Sequence, residues 1–138
     1  MADLDDPKPY FTAILVKDMT KSLDWYQTTL GYEIIDSKEY PEMKFKQANL
    51  KRGDSALELI ELGNAQKPED LIADFNSKSK ITGLFKVGFS VTKFDLWVEH
   101  LENAGAQFHG NVVEDPVSKK RMLILLDPDG NRIQIFER

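Results

Sequence analysis

Two stretches of the chain, some 75 residues apart, read alike, and that repetition limits what the chain can fold into. The first opens with "YFTAILVKD", a short apolar run of β-formers. It continues into "DMTKSLDWYQTTLGY", where Met19, Leu23, Tyr26 and Leu30 fall on one helical face. Asp18 is placed to cap this helix and Gly31 to end it. Three strand-like runs follow, "YEIIDSKEY", "MKFKQANL" and "SALELIEL", divided by Pro41 and the turn "KRGDS". The same order then returns. "LFKVGFSV" reads as a strand and "TKFDLWVEHLENAG" as a helix with Phe94, Trp97, Val98, Leu101 and Ala104 inward. Strand runs at "AQFHGNVVE", "RMLILL" and "NRIQIFE" complete the unit. Thr92 with Asp95 has the pattern of a capping box, and Gly105 stands where Gly31 does. Val16 to Val91 is an offset of 75, Gly31 to Gly105 of 74, and "LELI" to "IQIF" of 76. An offset this steady predicts an internal duplication and an α+β fold of two βαβββ modules.

The boundaries follow: a flexible tail over 1–8, module one over 9–62, a polar linker over 63–82 with one short helix at Glu69 to Phe75, and module two over 83–138. At 138 residues this is one domain, large enough to bury a core without a staple. Cysteine is absent, which excludes disulfides, thiolate catalysis and cysteine-bound metal centres. A formal charge of −5 argues against binding to phosphate backbones, so no nucleic-acid partner is expected. No apolar run is long enough to span a bilayer and "MADLDDPKPY" lacks a signal-peptide pattern, so a cytoplasmic protein without a membrane partner is expected.

The closing stretch "DPDGNRIQIFE" joins a hairpin turn, not a phosphate loop, to a strand. Period-two alternation sets Ile133 and Ile135 on one face, with Arg132, Gln134 and Phe136 on the other. What Gln134 faces is the functional question.

"VKDMTKSLDWYQTTLGYEI", "VGFSVTKFDLWVEHLENAGAQF" and "LLDPDGNRIQIFE", in this order, resemble the vicinal-oxygen-chelate superfamily, the group of glyoxalases, bleomycin-resistance proteins and extradiol dioxygenases. The resemblance implies curved mixed sheets with helices outside and two cupped faces across a cleft. The alternation accommodates it. In the fifth strand Phe85, Val87, Phe89 and Val91 belong against the helix, which leaves Lys86, Gly88 and Ser90 for the cup, and by the repeat Phe11, Ala13 and Leu15.

Metal-dependent members of this group carry His or Gln in the first and fifth strands and Glu in the fourth and eighth. The matching positions here are Phe11, Glu58, Lys86 and Gln134. Phenylalanine has no donor atom, a charged lysine has no lone pair, and a lone Gln amide is weak, so Glu58 is the one good ligand. No metal and no cofactor are therefore expected. Lys86 opposite Glu58 would neutralise it, unless Lys86 snorkels to the rim or a register slip puts Glu61 in its place.

The expected ligand-lining set is Phe11, Ala13, Glu58, Ile60, Lys86, Gly88, Ser90, Gln134 and Phe136, with no catalytic residue assigned. Other candidates are weaker. His100 reads as a surface residue, His109 lies at a strand end, and Ser90 has no base partner. Trp25, Tyr26 and Trp97 read as core or interface, and "SKEYPEMKFK" as a flap or solvated strand pair whose Tyr40 and Phe45 could touch a ligand. The departure from the metal-ligand pattern, read with the resemblance to members that sequester drugs by binding alone, implies a metal-independent protein that binds a small organic molecule, expected as a homodimer. The alternative is a lyase, isomerase or dioxygenase-type enzyme of the same group.

Overall fold

In the first module β1 (Thr12–Val16) leads into α1 (Met19–Thr28), and β2 (Glu33–Tyr40), β3 (Phe45–Arg52) and β4 (Ser55–Leu62) follow. The computed structural model describes residues 4–138; Met1 to Asp3, the start of the expected tail, lie outside the described residues. After a linker carrying α2 (Pro68–Leu71), the second module runs β5 (Val87–Val91), α3 (Phe94–Asn103), β6 (Gln107–Phe108), β7 (Val113–Glu114), β8 (Arg121–Leu126) and β9 (Arg132–Glu137). The sheets have the orders β1-β4-β3-β2 and β5-β9-β8-β6, with β7 also on β8. β1 is parallel to β4 and β5 to β9, while the other pairs are antiparallel. The two modules thus share one strand order, and each module's first strand is a sheet edge. Among the described residues no helix is long and apolar enough to cross a membrane.

Local chemistry explains the elements and four departures from expectation. Asp18 caps α1 by accepting from the Lys21 N–H at 3.1 Å, and Gly31 leaves the helix at φ +70°, where a Cβ would also run into the Arg52 guanidinium. Thr92 and Asp95 form no capping box: Lys93 is the N-cap and no side chain caps α3. Arg121 takes the Asp95 carboxylate at 2.7 Å while its Nη2 donates to Glu137 at 2.9 Å, and these charge-assisted bonds outweigh a hydroxyl cap. The run "AQFHGNVVE" is not one strand but two short ones, parted by Gly110 at φ +86°. The linker helix is a single turn over Pro68–Leu71 rather than 69–75, because Ile72 is already extended. Ala104 and Phe85 are exposed rather than packed on their expected faces, since α3 has ended at Ala104 and Phe85 precedes β5 and lies under Arg132.

The modules meet through their helix-bearing faces. Ile14, Val16, Leu57 and Leu59 share one core with Met19, Tyr26, Leu101, Leu125, Ile133 and Ile135, each large side chain contributing roughly 1.5–3 kcal/mol by burial. Across the joint the Tyr26 hydroxyl donates to Asp127 at 2.8 Å, the Lys17 N–H reaches Asp129, and His100 Nε2 lies 3.0 Å from the Thr29 carbonyl. Arg52 stacks on Trp97 at 4.6 Å, and Tyr32 meets Phe89 edge-on. The alternate face of each sheet therefore turns away from the other module. His100, read from sequence as a surface residue, is exposed yet ties α3 to the end of α1.

Asp127 organises this joint. It is buried, and its carboxylate also accepts from the Asp129 and Asn131 backbone N–H groups and from Asn131 Nδ2, at 2.8–2.9 Å. Burial, and then the Asp127 charge, push the Tyr26 hydroxyl pKa upward, so Tyr26 stays a donor. Asp127→Ala removes the turn's acceptor and strands the Tyr26 hydroxyl, and should cost about 2–4 kcal/mol in urea unfolding. Tyr26→Phe should cost roughly 1.5–3 kcal/mol, and the two losses should be less than additive in a double-mutant cycle.

Arg121 also sets an acid limit. Its hydrogen bonds hold the Glu137 carboxyl at about 2, below its ordinary 4.5. A depressed acid stabilises the fold above its unfolded pKa and loses that contribution as pH falls through the folded one. Stability should therefore decline between pH 4.5 and pH 2 partly through Glu137, and Glu137→Gln should flatten that part of the profile.

Candidate functional site

The outward faces carry the expected site residues. In module one Ala13 lies beside Glu58 and Leu15 beside Ile60, with Asn49 and Gln47 as their partners on β3. Phe11 immediately precedes β1 and packs edge-on against Tyr10. Gln47 Nε2 donates to Asn49 Oδ1 at 3.3 Å, and Asn49 Nδ2 donates to Asp36 Oδ1 at 2.6 Å. This amide row runs along the floor next to Glu58. The sequence reading missed Gln47 and Asn49, although their alternation with Ala48 and Leu50 was the available signal. Glu58 is half-buried and has neither an ion pair nor a hydrogen bond among the described residues. Glu61, the register alternative, points the other way, accepting from the Met19 N–H at 2.6 Å with Lys46 Nζ at 3.5 Å.

In module two Gly88 lies beside Gln134 and Ser90 beside Phe136, with Ile124 and Met122 flanking them on β8. Gln134 is 1% exposed; its Nε2 donates to the Met122 thioether at 2.9 Å, and its Oε1 has no partner. The glutamine is thus a neutral group sunk into an apolar floor. Ser90 Oγ accepts from Arg138 at 3.3 Å. Lys86 immediately precedes β5, as Phe11 precedes β1, and its Nζ lies 6.0 Å from the Phe85 ring.

Within the chain Glu58 and Lys86 are not paired. Glu58 is on β4 and Lys86 immediately precedes β5 of the other sheet, and no ion pair joins them among the described residues. His109 is exposed at the end of β6, and Tyr40 faces Phe45 at 5.9 Å on the β2–β3 hairpin. Tyr26 and Trp97 pack in the core and at the joint. The donor set fits no transition metal: Phe11 and Lys86 offer no lone pair, Gln134 Oε1 is sealed, and Glu58 alone is too few. Among the described residues no three His, Cys, Asp or Glu side chains cluster as a metal site.

A family model described as Glyoxalase/Bleomycin resistance protein/Dioxygenase superfamily matches residues 10–135. The Escherichia coli (strain K12) protein YaeR is 30% identical over 129 residues, covering 91% of this chain and 92% of that protein. A lactoylglutathione lyase of Neisseria meningitidis serogroup A is 27% identical over 139 residues, covering 92% and 88%. A glyoxalase family protein from Enterococcus faecalis shares the fold at a TM-score of 0.80 and 22% identity, over 94% of this chain and 97% of that one. With paired βαβββ modules and a family match along nearly the whole described length, the chain belongs to the glyoxalase/bleomycin resistance protein/dioxygenase superfamily.

Proposed function

We propose that the chain binds a small organic molecule without a metal, on the floor around Ala13, Glu58 and Ile60. The observation that carries this reading is the unpartnered, half-buried Glu58 beside small Ala13 and the Gln47–Asn49–Asp36 row, with Phe11 and Lys86, which offer no lone pair, immediately before β1 and β5. A carboxylate with free acceptor capacity over an apolar and amide floor suits a ligand that carries an N–H or O–H donor. The same free carboxylate supports one enzymatic reading, an isomerase or lyase with Glu58 as general base, in line with the lactoylglutathione lyase relative.

The cup is completed by a second copy. Each floor faces away from its own chain's other module, and β1 and β5 are open edges that need covering. A twofold-related copy sets β1 beside the other chain's β5 and brings Glu58 opposite Lys86 across the cup. Burial between chains then favours the pair, since either charge alone would be costly.

Metal analysis of protein purified without chelator should find only substoichiometric zinc, nickel, iron and manganese; a full equivalent lost on Glu58→Gln would refute the metal-free reading. Sedimentation should show a dimer at micromolar concentration. Lys86→Glu should weaken that dimer roughly tenfold or more by opposing like charges, and Glu58→Lys added to it should restore much of the loss. A monomer, or a dimer indifferent to both changes, would count against the cross-chain cup.

A further inference from the structure

The duplication makes the two joints between the modules equivalent, yet they are closed differently. At the first, the β8–β9 turn reaches the end of β1: the Asp129 carboxylate accepts from the Lys17 N–H at 3.2 and 3.3 Å, and Lys17 Nζ fastens the linker through the Ala65 carbonyl at 2.8 Å. A hollow of about 100 Å³ remains, walled by Leu15, Lys17, Lys67 and Asp129 among others. At the second joint the β3–β4 turn approaches β5, and a cleft of about 550 Å³ stands open.

Turn length and side chains explain the difference. Five residues (127–131) separate the ladder pair Leu126 and Arg132, but four (52–55) separate Lys51 and Ala56. Across the turn the repeat offset passes from 75 at Leu126 to 76 at Arg132, so Asp129 falls opposite Asp54 or Gly53, and Gly53 has no side chain and nothing within 4 Å of where a Cβ would stand. Lys17 corresponds to Thr92, and no carboxylate bond to the Thr92 N–H like that of Asp129 to Lys17 is found among the described residues. Leu15 and Leu62 correspond to Ser90 and Arg138. The second joint keeps one acid, Asp54, and has gained a guanidinium.

Two arginines border the cleft. Arg138 is held over β5 by Ser90 Oγ and the Ser90 carbonyl, at 3.3 and 3.0 Å. Arg52 is fixed by the Leu30 carbonyl and by stacking on Trp97, which leaves its Nε and Nη2 without protein acceptors among the described residues. Asp54 is the one acid on the lining, and Leu30, Phe89, Val91 and Ile135 supply an apolar wall.

We propose that this cleft binds a small carboxylate with an apolar body, the carboxylate held by the Arg138 and Arg52 guanidinium groups. Arginine–carboxylate hydrogen bonds are charge-assisted and about twice as strong as neutral ones, and the apolar wall takes the remainder of the molecule. The site lies on the flank of β5 toward the joint; it borders the module-two floor through Gly88 and Ser90, but its arginines and its apolar wall of Leu30, Phe89, Val91 and Ile135 lie off that floor.

The test is a titration of the full ¹⁵N-labelled chain with benzoate, and with benzyl alcohol as a neutral probe of the same shape. Benzoate should give saturable shifts at the amides of Gly88 to Val91 and Gly53 to Ser55, and benzyl alcohol should not. Arg138→Leu, which installs the residue found at Leu62, should weaken benzoate roughly tenfold, the scale of one lost charge-assisted hydrogen bond. Gly53→Asp, at some backbone cost at φ +55°, adds a carboxylate beside the arginines and should suppress benzoate binding. Absence of saturable shifts, equal shifts with benzyl alcohol, or unchanged affinity in Arg138→Leu would overturn the proposal. Shifts at these amides that follow protein dilution and not benzoate would assign the cleft to a second copy and overturn it equally.

Discussion

The buried carboxylate of Asp127 is the point on which the arrangement of the two modules rests. It satisfies the β8–β9 turn from within and the Tyr26 hydroxyl of α1 from across the joint, so one charged group fixes a local turn and the relation of two modules together. A carboxylate with this little exposure is tolerable because its accepting positions are filled by donors on a rigid turn. Once α1 is latched there, the helix-bearing faces are turned inward and the alternate faces of both sheets outward.

That orientation gives the floor chemistry its meaning. Glu58 and Lys86 would each be an expensive charge in a closed cavity, but both remain in contact with water in the single chain. Gln134 differs from its repeat-mate Glu58: it is sealed among Met122, Ile124 and Phe136, and a neutral amide can be buried there where a carboxylate could not. The two floors are therefore chemically unequal, one charged and amide-lined, the other largely apolar.

Much of the fold was legible in the sequence because the repeat supplied each element twice. The Asp18 cap, the Gly31 and Gly105 helix ends and the outward parity of Ala13, Glu58, Gly88 and Gln134 all follow from local rules. What escaped depended on distant partners. Asp95 looked like a cap until Arg121, 26 residues away, claimed it. Alternation predicts that Glu58 and Lys86 face away from the helices, but not that the helix faces meet between the modules, because that depends on Tyr26 finding Asp127. Gln47 and Asn49 were readable from alternation and were passed over because polar residues on a strand usually face solvent.

The central claim is that the Glu58 floor holds an organic molecule without a metal, in a cup shared by two copies. The most direct measurement is a crystal structure of protein taken from cells with no ligand added. The account predicts organic density over Ala13 and Glu58, facing Lys86 of a second copy. A metal ion coordinated by Glu58, or a floor open to solvent in a monomer, would contradict it.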